Sequence, residues 1–431
     1  MRFLSRRIHI VSLLFSLISA GFLTACSSSM GGVDQGAQSD DGGSNSDGPL
    51  IDDDGGLDEG PDAFVGPTAK AVSAGGAHAC AITVQGAVKC WGYNGYGQLG
   101  NGSTMDSATP VDVVGLSSGV ISISAGDAHT CVVTTVGGIK CWGSNYYGQL
   151  GDGNGAVSAY SATPVDVTGL TSGMVAVGTG YDHTCGLTTG GGVKCWGSAA
   201  SGQLGNGASG AGVTYKTPSD VGNLSSGVAS LSAGAYHTCV LTTGGGVRCW
   251  GSNTAGQLGN STTSMATFWS NVQGLTSGVT AMSANVVHTC AMTMNGGLKC
   301  WGNNDFGQLG NGNETFSTTP VAVMGLSSGV TAMSHGGYVT CALDIGGTLK
   351  CCGWNAYGQF GNGTTTNSNT PITISGLPWQ PATISEGKTS ACALTTAGRV
   401  KCWGGNDYGQ VGNGTSGMNV KVLTPEDVIG F

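Results

Sequence analysis

The chain has 431 residues, 15 Lys and Arg against 24 Asp and Glu, and a formal net charge of −9. Only 9% of its residues are charged, while 80 are glycine and 16 are cysteine. A chain this short of positive charge lacks the concentrated basic footprint that nucleic acid demands.

Residues 1–25 read as an export signal: Arg2, Arg6 and Arg7 precede an apolar run from Ile8 to Ala25. The run ends Leu23-Thr24-Ala25-Cys26, which resembles a bacterial lipobox. That resemblance implies cleavage before Cys26 and lipid on its thiol, with an ordinary signal peptide or an uncleaved anchor as the alternatives. Ser27 follows, a residue that in Gram-negative sorting implies the outer membrane. Residues 26–67 read as a disordered tether of Gly, Ser and Asp, with ten acids and no Lys or Arg. Its run IDDDGGLDEG clusters carboxylates as calcium ligands do, but without EF-hand spacing, so a solvated spacer is the reading. No later apolar run is long enough to span a bilayer.

From residue 68 to 431 one unit returns seven times. Its clearest copy is SAGAYHTCVLTTGGGVRCWG, residues 232–251. Two short β-prone runs flank a glycine turn, so the segment folds antiparallel with Cys239 opposite Cys249, Val240 opposite Arg248 and Leu241 opposite Val247. The first cysteine of each unit recurs at steps of 51, 54, 54, 51, 51 and 51 residues. Such a period signals a repeat architecture. With WGxNxxGQLG and TPVDVxGL adding strands, each unit makes roughly four, and seven such sheets bury their faces only when arranged radially. This segment carries 14 acids and 12 bases, so the −9 of the chain belongs mostly to the tether.

The WGxNxxGQLG motif (Trp91–Gly100), the following TPxxV and the SAGxxHT entry resemble the repeats of the regulator of chromosome condensation (RCC1) family across 70–431. The resemblance implies an all-β, seven-bladed β-propeller. It further implies that the first and last strands share a blade and close the ring.

An export signal makes the cysteines candidates for disulfides. Directly opposed strand positions predict seven bridges, one within each repeat: Cys80–Cys90, Cys131–Cys141, Cys185–Cys195, Cys239–Cys249, Cys290–Cys300, Cys341–Cys351 and Cys392–Cys402. Cys352, which replaces the usual Trp, reads as a passive buried thiol, with a reactive thiol or a bond to Cys341 as the alternatives. His78, His129, His183, His237 and His288 each precede a cysteine by two. Recurrence once per unit marks a structural position, and the family equivalent is a packed histidine, so no metal site is assigned. A row of cations before each second cysteine (Lys89, Lys140, Lys194, Arg248, Lys299, Lys350, Lys401) reads as solvated or ion-paired, with an anion-binding ring as the alternative.

No P-loop, G-x-S-x-G, H-E-x-x-H or sialidase box occurs, so neither catalysis nor a cofactor is expected. The expected role is a lipid-anchored, monomeric scaffold in the bacterial envelope that presents one propeller face to a protein partner. Its candidate anchors are Tyr160, Tyr215, Phe268, Trp269 and Phe316, in the variable stretch between LGxG and TP. The aromatics before Gly-Gln (Tyr96, Tyr147, Phe306, Tyr357, Tyr408) read equally as anchors or as turn packing. The alternatives are an adhesive protein binding glycans and, from the family's founder alone, nucleotide exchange on a small GTPase, which an exported protein would not meet.

Overall fold

The computed structural model describes residues 67–154, 160–375 and 377–431. The expected export signal, the expected lipidation site Cys26 and almost all of the expected tether lie outside them. The described chain is all-β: 28 strands form seven four-stranded antiparallel sheets, each built from four consecutive strands. The first sheet is β1 (Ala69–Ala74), β2 (His78–Thr83), β3 (Val88–Gly92) and β4 (Ser107–Asp112), paired in that order. The remaining blades span 120–166, 174–220, 228–271, 279–322, 330–373 and 381–427. The first strand of every blade touches the first strands of its neighbours, so these strands line the centre and the fourth strands form the perimeter. The molecule is a seven-bladed β-propeller.

The predicted hairpin register holds, with Cys239 opposite Cys249, Val240 opposite Arg248 and Leu241 opposite Val247. In each of the seven repeats the two cysteines are bonded across the second and third strands. The Trp after the second cysteine points to the opposite face of the sheet and is fully buried in six blades. Each of these indoles donates from Nε1 to the main-chain oxygen of a glutamine in the preceding blade, at 2.6–3.0 Å. In the sixth blade Cys352 stands there instead, with its sulfur 3.8 Å from the Gln308 oxygen. The glycine after Trp is dictated by crowding. A Cβ on Gly92 (φ +102°) would lie 2.6 Å from the Ala77 oxygen and 2.8 Å from the His78 Cα.

Ring closure differs from the sequence expectation. No strand is shared between the ends of the chain: β1 belongs to the first sheet and the last strand, Lys421–Asp427, to the seventh. The reason is register, because the repeat begins on an inner strand and finishes on an outer one, leaving no strand to exchange. The first and seventh blades are joined by lateral contacts instead. Ala69 N donates to Gly398 O at 2.8 Å, Trp91 Nε1 to Gln410 O at 3.0 Å, and the buried Phe431 ring packs 6.0 Å from Trp91.

Candidate protein-binding face

Antiparallel order places the turn between the first and second strands and the long connection between the third and fourth strands at the same end of each blade. That end is the long-loop face; the glycine hairpins and blade-to-blade links form the opposite one. The described chain enters β1 from the hairpin face.

Beneath the long-loop face the blades are stitched by a repeated relay. His78, His129, His183, His237 and His288 contact through Nε2 a threonine of the next blade: Thr130, Thr184, Thr238, Thr289 and Thr340, at 2.8–3.0 Å. Each threonine hydroxyl in turn donates to the same glutamine oxygen that its blade's Trp or Cys352 contacts. A hydroxyl has one proton to give, so Nε2 is the donor. Burial holds these histidines far below the ordinary 6.5: His78 at about 4, His129, His183 and His237 at about 3, and His288 lower than usual for the same reason. Their role is structural. Two clusters of potential metal ligands arise among the described residues, His288/Cys290/His335 and Cys341/Cys351/Glu386. Every sulfur in them is bonded in a disulfide and is therefore no thiolate donor.

The cations before each second cysteine lie towards the hairpin end and are mostly paired. Lys89, Lys140, Lys194 and Lys401 meet Asp112, Asp166, Asp220 and Asp427 at 2.6–2.8 Å, and Lys350 meets Asp344 at 3.4 Å. In the fourth blade Asn271 replaces the aspartate, and the Arg248 guanidinium stacks 3.9 Å from the Trp269 ring centre. An anion-binding ring has no support in this arrangement. Cys352 is buried, free and pushed up to about 12 by burial.

The five expected anchors spread over the outer strands of four consecutive blades rather than one patch. Tyr160 opens the outer strand of the second blade and Tyr215 lies on that of the third. Phe268 and Trp269 lie on the outer strand of the fourth, and Phe316 precedes that of the fifth. Tyr160, Phe268 and Phe316 are about half exposed. Trp269 is engaged internally, with Nε1 donating to Gly222 O at 3.0 Å and its ring under Arg248.

The structure gathers a different set. Nine of the eleven tyrosines lie in the turns and loops of the long-loop face: Tyr93, Tyr96, Tyr146, Tyr147, Tyr181, Tyr236, Tyr338, Tyr357 and Tyr408. Their rings bridge the blade seams. Tyr408, Tyr93, Tyr96 and Tyr146 form a chain with centroids 4.8, 6.2 and 5.8 Å apart, crossing the seventh, first and second blades. Tyr181 meets Tyr236 at 5.5 Å, and Phe306, Tyr338, Trp354 and Tyr357 form a third group. Tyr146, Tyr147, Tyr236 and Tyr408 remain 40–46% exposed. Sequence reasoning named Tyr96, Tyr147, Phe306, Tyr357 and Tyr408 but missed the turn residues Tyr181, Tyr236 and Tyr338. Their signal was the variable pair of residues inside the otherwise constant SAGxxHT.

The same face is acidic. Asp106, Asp127, Asp152, Asp182, Asp305, Glu314, Glu386 and Asp407 belong to it, against Lys216, Lys388 and Lys421. The remaining nine bases and six acids lie towards the hairpin face, so a domain that is nearly neutral in sum is electrically polarised. At the centre of the acidic face is a funnel of about 600 Å³, part of it open to solvent, walled by the ends of the inner strands.

The RCC1-like domain family matches residues 117–429, and the RCC1 repeat matches 85–133 and 69–98. The chain is 28% identical over 352 residues to the ultraviolet-B receptor UVR8 of Arabidopsis thaliana, covering 80% of this chain and 79% of that protein. It is 30% identical over 339 residues to a secretion-regulating guanine nucleotide exchange factor of Bos taurus, covering 72% and 71%. It is 33% identical over 259 residues to the human E3 ubiquitin-protein ligase HERC2, covering 59% of this chain but only 5% of that much longer protein. Among solved structures, human WBSCR16 is similar with TM-score 0.70 and 22% identity, covering 80% of this chain and 94% of that one. Prp20p of Saccharomyces cerevisiae, whose binding to Gsp1p and histones has been described, is similar with TM-score 0.69 and 21% identity, covering 80% and 87%. With seven such repeats and a family match over 117–429, this chain belongs to the RCC1-like propeller family.

Proposed function

We propose that the protein is a lipid-anchored, extracytoplasmic binding scaffold of the bacterial envelope, and that its long-loop face receives a protein partner. The observation that carries the reading is the gathering of nine of eleven tyrosines, four of them 40–46% exposed, on one acidic face. Tyrosine offers a large, rigid, amphipathic contact at low entropic cost and is enriched at interface centres. The expected anchors Tyr160, Tyr215, Phe268, Trp269 and Phe316 sit at the rim of this face, at or near the starts of the outer strands where the long connections end. The absence of catalytic motifs supports binding without turnover, and the apolar segment ending at Cys26 supports attachment in the envelope through lipid. Nucleotide exchange enters only through the family's founder and one relative's name, and an exported chain would not meet a cytosolic GTPase.

The test is cross-linking on intact cells, followed by identification of what is attached. Replacing Tyr146, Tyr147, Tyr236 and Tyr408 with Ala should abolish capture of one stoichiometric protein, while Cys26→Ala should release the protein from the membrane fraction. Capture that survives the tyrosine substitutions would refute the face; glycans or wall polymers captured in place of a protein would favour adhesion.

A further inference from the structure

The funnel at the centre of the long-loop face already holds a positive charge supplied by the chain itself. Lys388, in the first turn of the seventh blade, reaches across the opening to the second and third blades. Its Nζ lies 3.8 Å from Asp127 Oδ1 and 5.3 Å from the centre of the Tyr181 ring. This is a loose arrangement: the distance to Asp127 is at the outer limit of an ion pair, and the Lys388 side chain is 49% exposed. The Tyr181 ring is set by Tyr236, whose centroid is 5.5 Å away in an edge-to-face arrangement. The wall therefore offers a carboxylate and an aromatic face together, the combination that binds ammonium and guanidinium groups.

One lysine does not balance the acids here. Asp182, next to Tyr181 in sequence, is pushed up to about 6 by burial and by the charge on Asp127. Glu386 lines the same funnel, but burial raises its pKa well above the usual carboxylate range, so it adds no charge there. Across the whole face the other seven acids stand against three bases. The site thus has the chemistry to hold more positive charge than the chain supplies.

We propose that this funnel is a receptor site for one basic side chain, the ammonium of a lysine or the guanidinium of an arginine on a projecting loop of the protein partner, and that Lys388 occupies it until that side chain displaces it. The proposal rests on the reading of the long-loop face as the binding face. Lys388 then acts as a built-in competitor, so removing it strengthens binding, while removing the carboxylates weakens it. The Tyr181 ring supplies the part of the attraction that salt screens least, and Asp127 in the wall supplies the rest, its field reinforced by Asp182 behind it.

The experiment uses the full-length protein in detergent, titrated calorimetrically with a penta-lysine peptide and, as a control, a penta-glutamate peptide. Penta-lysine is expected to bind and penta-glutamate not. Lys388→Ala and the gentler Lys388→Gln should each tighten penta-lysine binding about threefold or more, and Asp127→Asn with Asp182→Asn should weaken it about tenfold. A charge-matched pair remote from the funnel, Asp305→Asn with Asp407→Asn, should change it less than about twofold. Equal weakening by both aspartate pairs, or no tightening on loss of Lys388, would overturn the site and leave only a diffuse acidic field. Cross-linking of the native partner separates the two levels. Capture that depends on Tyr146 and Tyr147 but is indifferent to Lys388, Asp127 and Asp182 would retain the binding face and overturn the receptor site.

Discussion

Acid should unfold this propeller, and the histidines should cause it. All six histidines of the described chain are buried and held neutral, five of them at about 3 or 4 instead of 6.5. Above pH 6.5 neither the native nor the unfolded state binds the proton, so their contribution there is flat. Below 6.5 the unfolded chain takes up protons that the native state refuses, so stability falls as pH falls. At pH 5 each such group contributes a loss of about 2 kcal/mol relative to pH 7, and five together about 10 kcal/mol. Asp182 acts in the opposite sense. Its native value of about 6 exceeds 3.8, so it destabilises at neutral pH, and about 1 kcal/mol is recovered between pH 7 and pH 5. Glu386, raised by burial, has the same sign. The net loss remains on the order of 8 kcal/mol, comparable with the whole stability of an ordinary domain. Guanidinium unfolding followed by tryptophan fluorescence, with the disulfides intact, should show a midpoint at pH 5 far below that at pH 7. The mean pH slope between them should correspond to a net uptake of about three protons. A midpoint unchanged between pH 7 and pH 5 would refute the neutral relay.

Other consequences are equally direct. Native protein should show no reaction of Cys352 with a thiol reagent, since its proton is held to about 12, whereas the unfolded, non-reduced chain should yield one thiol from residues 67–431 by mass. A double-mutant cycle on His237→Ala and Thr289→Ala should give a coupling of about 1 kcal/mol, read from denaturation midpoints; zero coupling would argue against the hydrogen bond at 3.0 Å. Replacing Cys239 and Cys249 together by Ala should cost about 3 kcal/mol from loss of a short cross-link, without loss of the fold. Amide exchange should be fastest, among inner and second strands, in the seventh blade, whose two seams lack the histidine–threonine relay.

The fold was legible because its rules are local. The spacing of Cys239 and Cys249 sets the hairpin register, since only one antiparallel pairing makes them opposite. The invariant glycine after Trp marks a place where any Cβ would strike the adjoining strand. Ring closure was not legible, because a shared blade and seven consecutive sheets have the same repeat; the choice depends on which strand begins the first sheet. The binding face was legible only in part. Tyr93 and Tyr408 are 315 positions apart in the sequence, yet their rings lie 4.8 Å apart. Periodicity announces that equivalent positions lie at one end of the disc, but not which side chains cross a seam. The perimeter positions drew notice because their loops vary in length. The turns of constant length that carry Tyr181, Tyr236 and Lys388 vary only in composition, a quieter signal.

Two departures from the repeat show that the unit of construction is the seam between blades. In the sixth blade the relay histidine is Val339, and the threonine it would meet in the seventh blade is Ala391. In the seventh blade the histidine is Ser390, and its partner position in the first blade is Ala79. Donor and acceptor are absent together at the sixth seam; at the seventh the threonine is absent but Ser390 keeps a hydroxyl, buried without a partner. The inner strands compensate differently: His335 and Glu386 replace the small residue found at that position elsewhere, and Glu386 comes within 4.8 Å of the Cys341–Cys351 sulfurs beside the apolar Val339. Neither His335 nor Glu386 finds a hydrogen-bond partner through its side chain. The seventh blade is therefore bordered on both sides by seams lacking the polar relay, and an apolar cluster that runs from the sixth blade to the first, with Trp91, Trp403 and Phe431 in it, packs both seams instead. A ring with five relayed seams and two unrelayed ones should open first at the blade between those two, which is also the blade that carries Lys388.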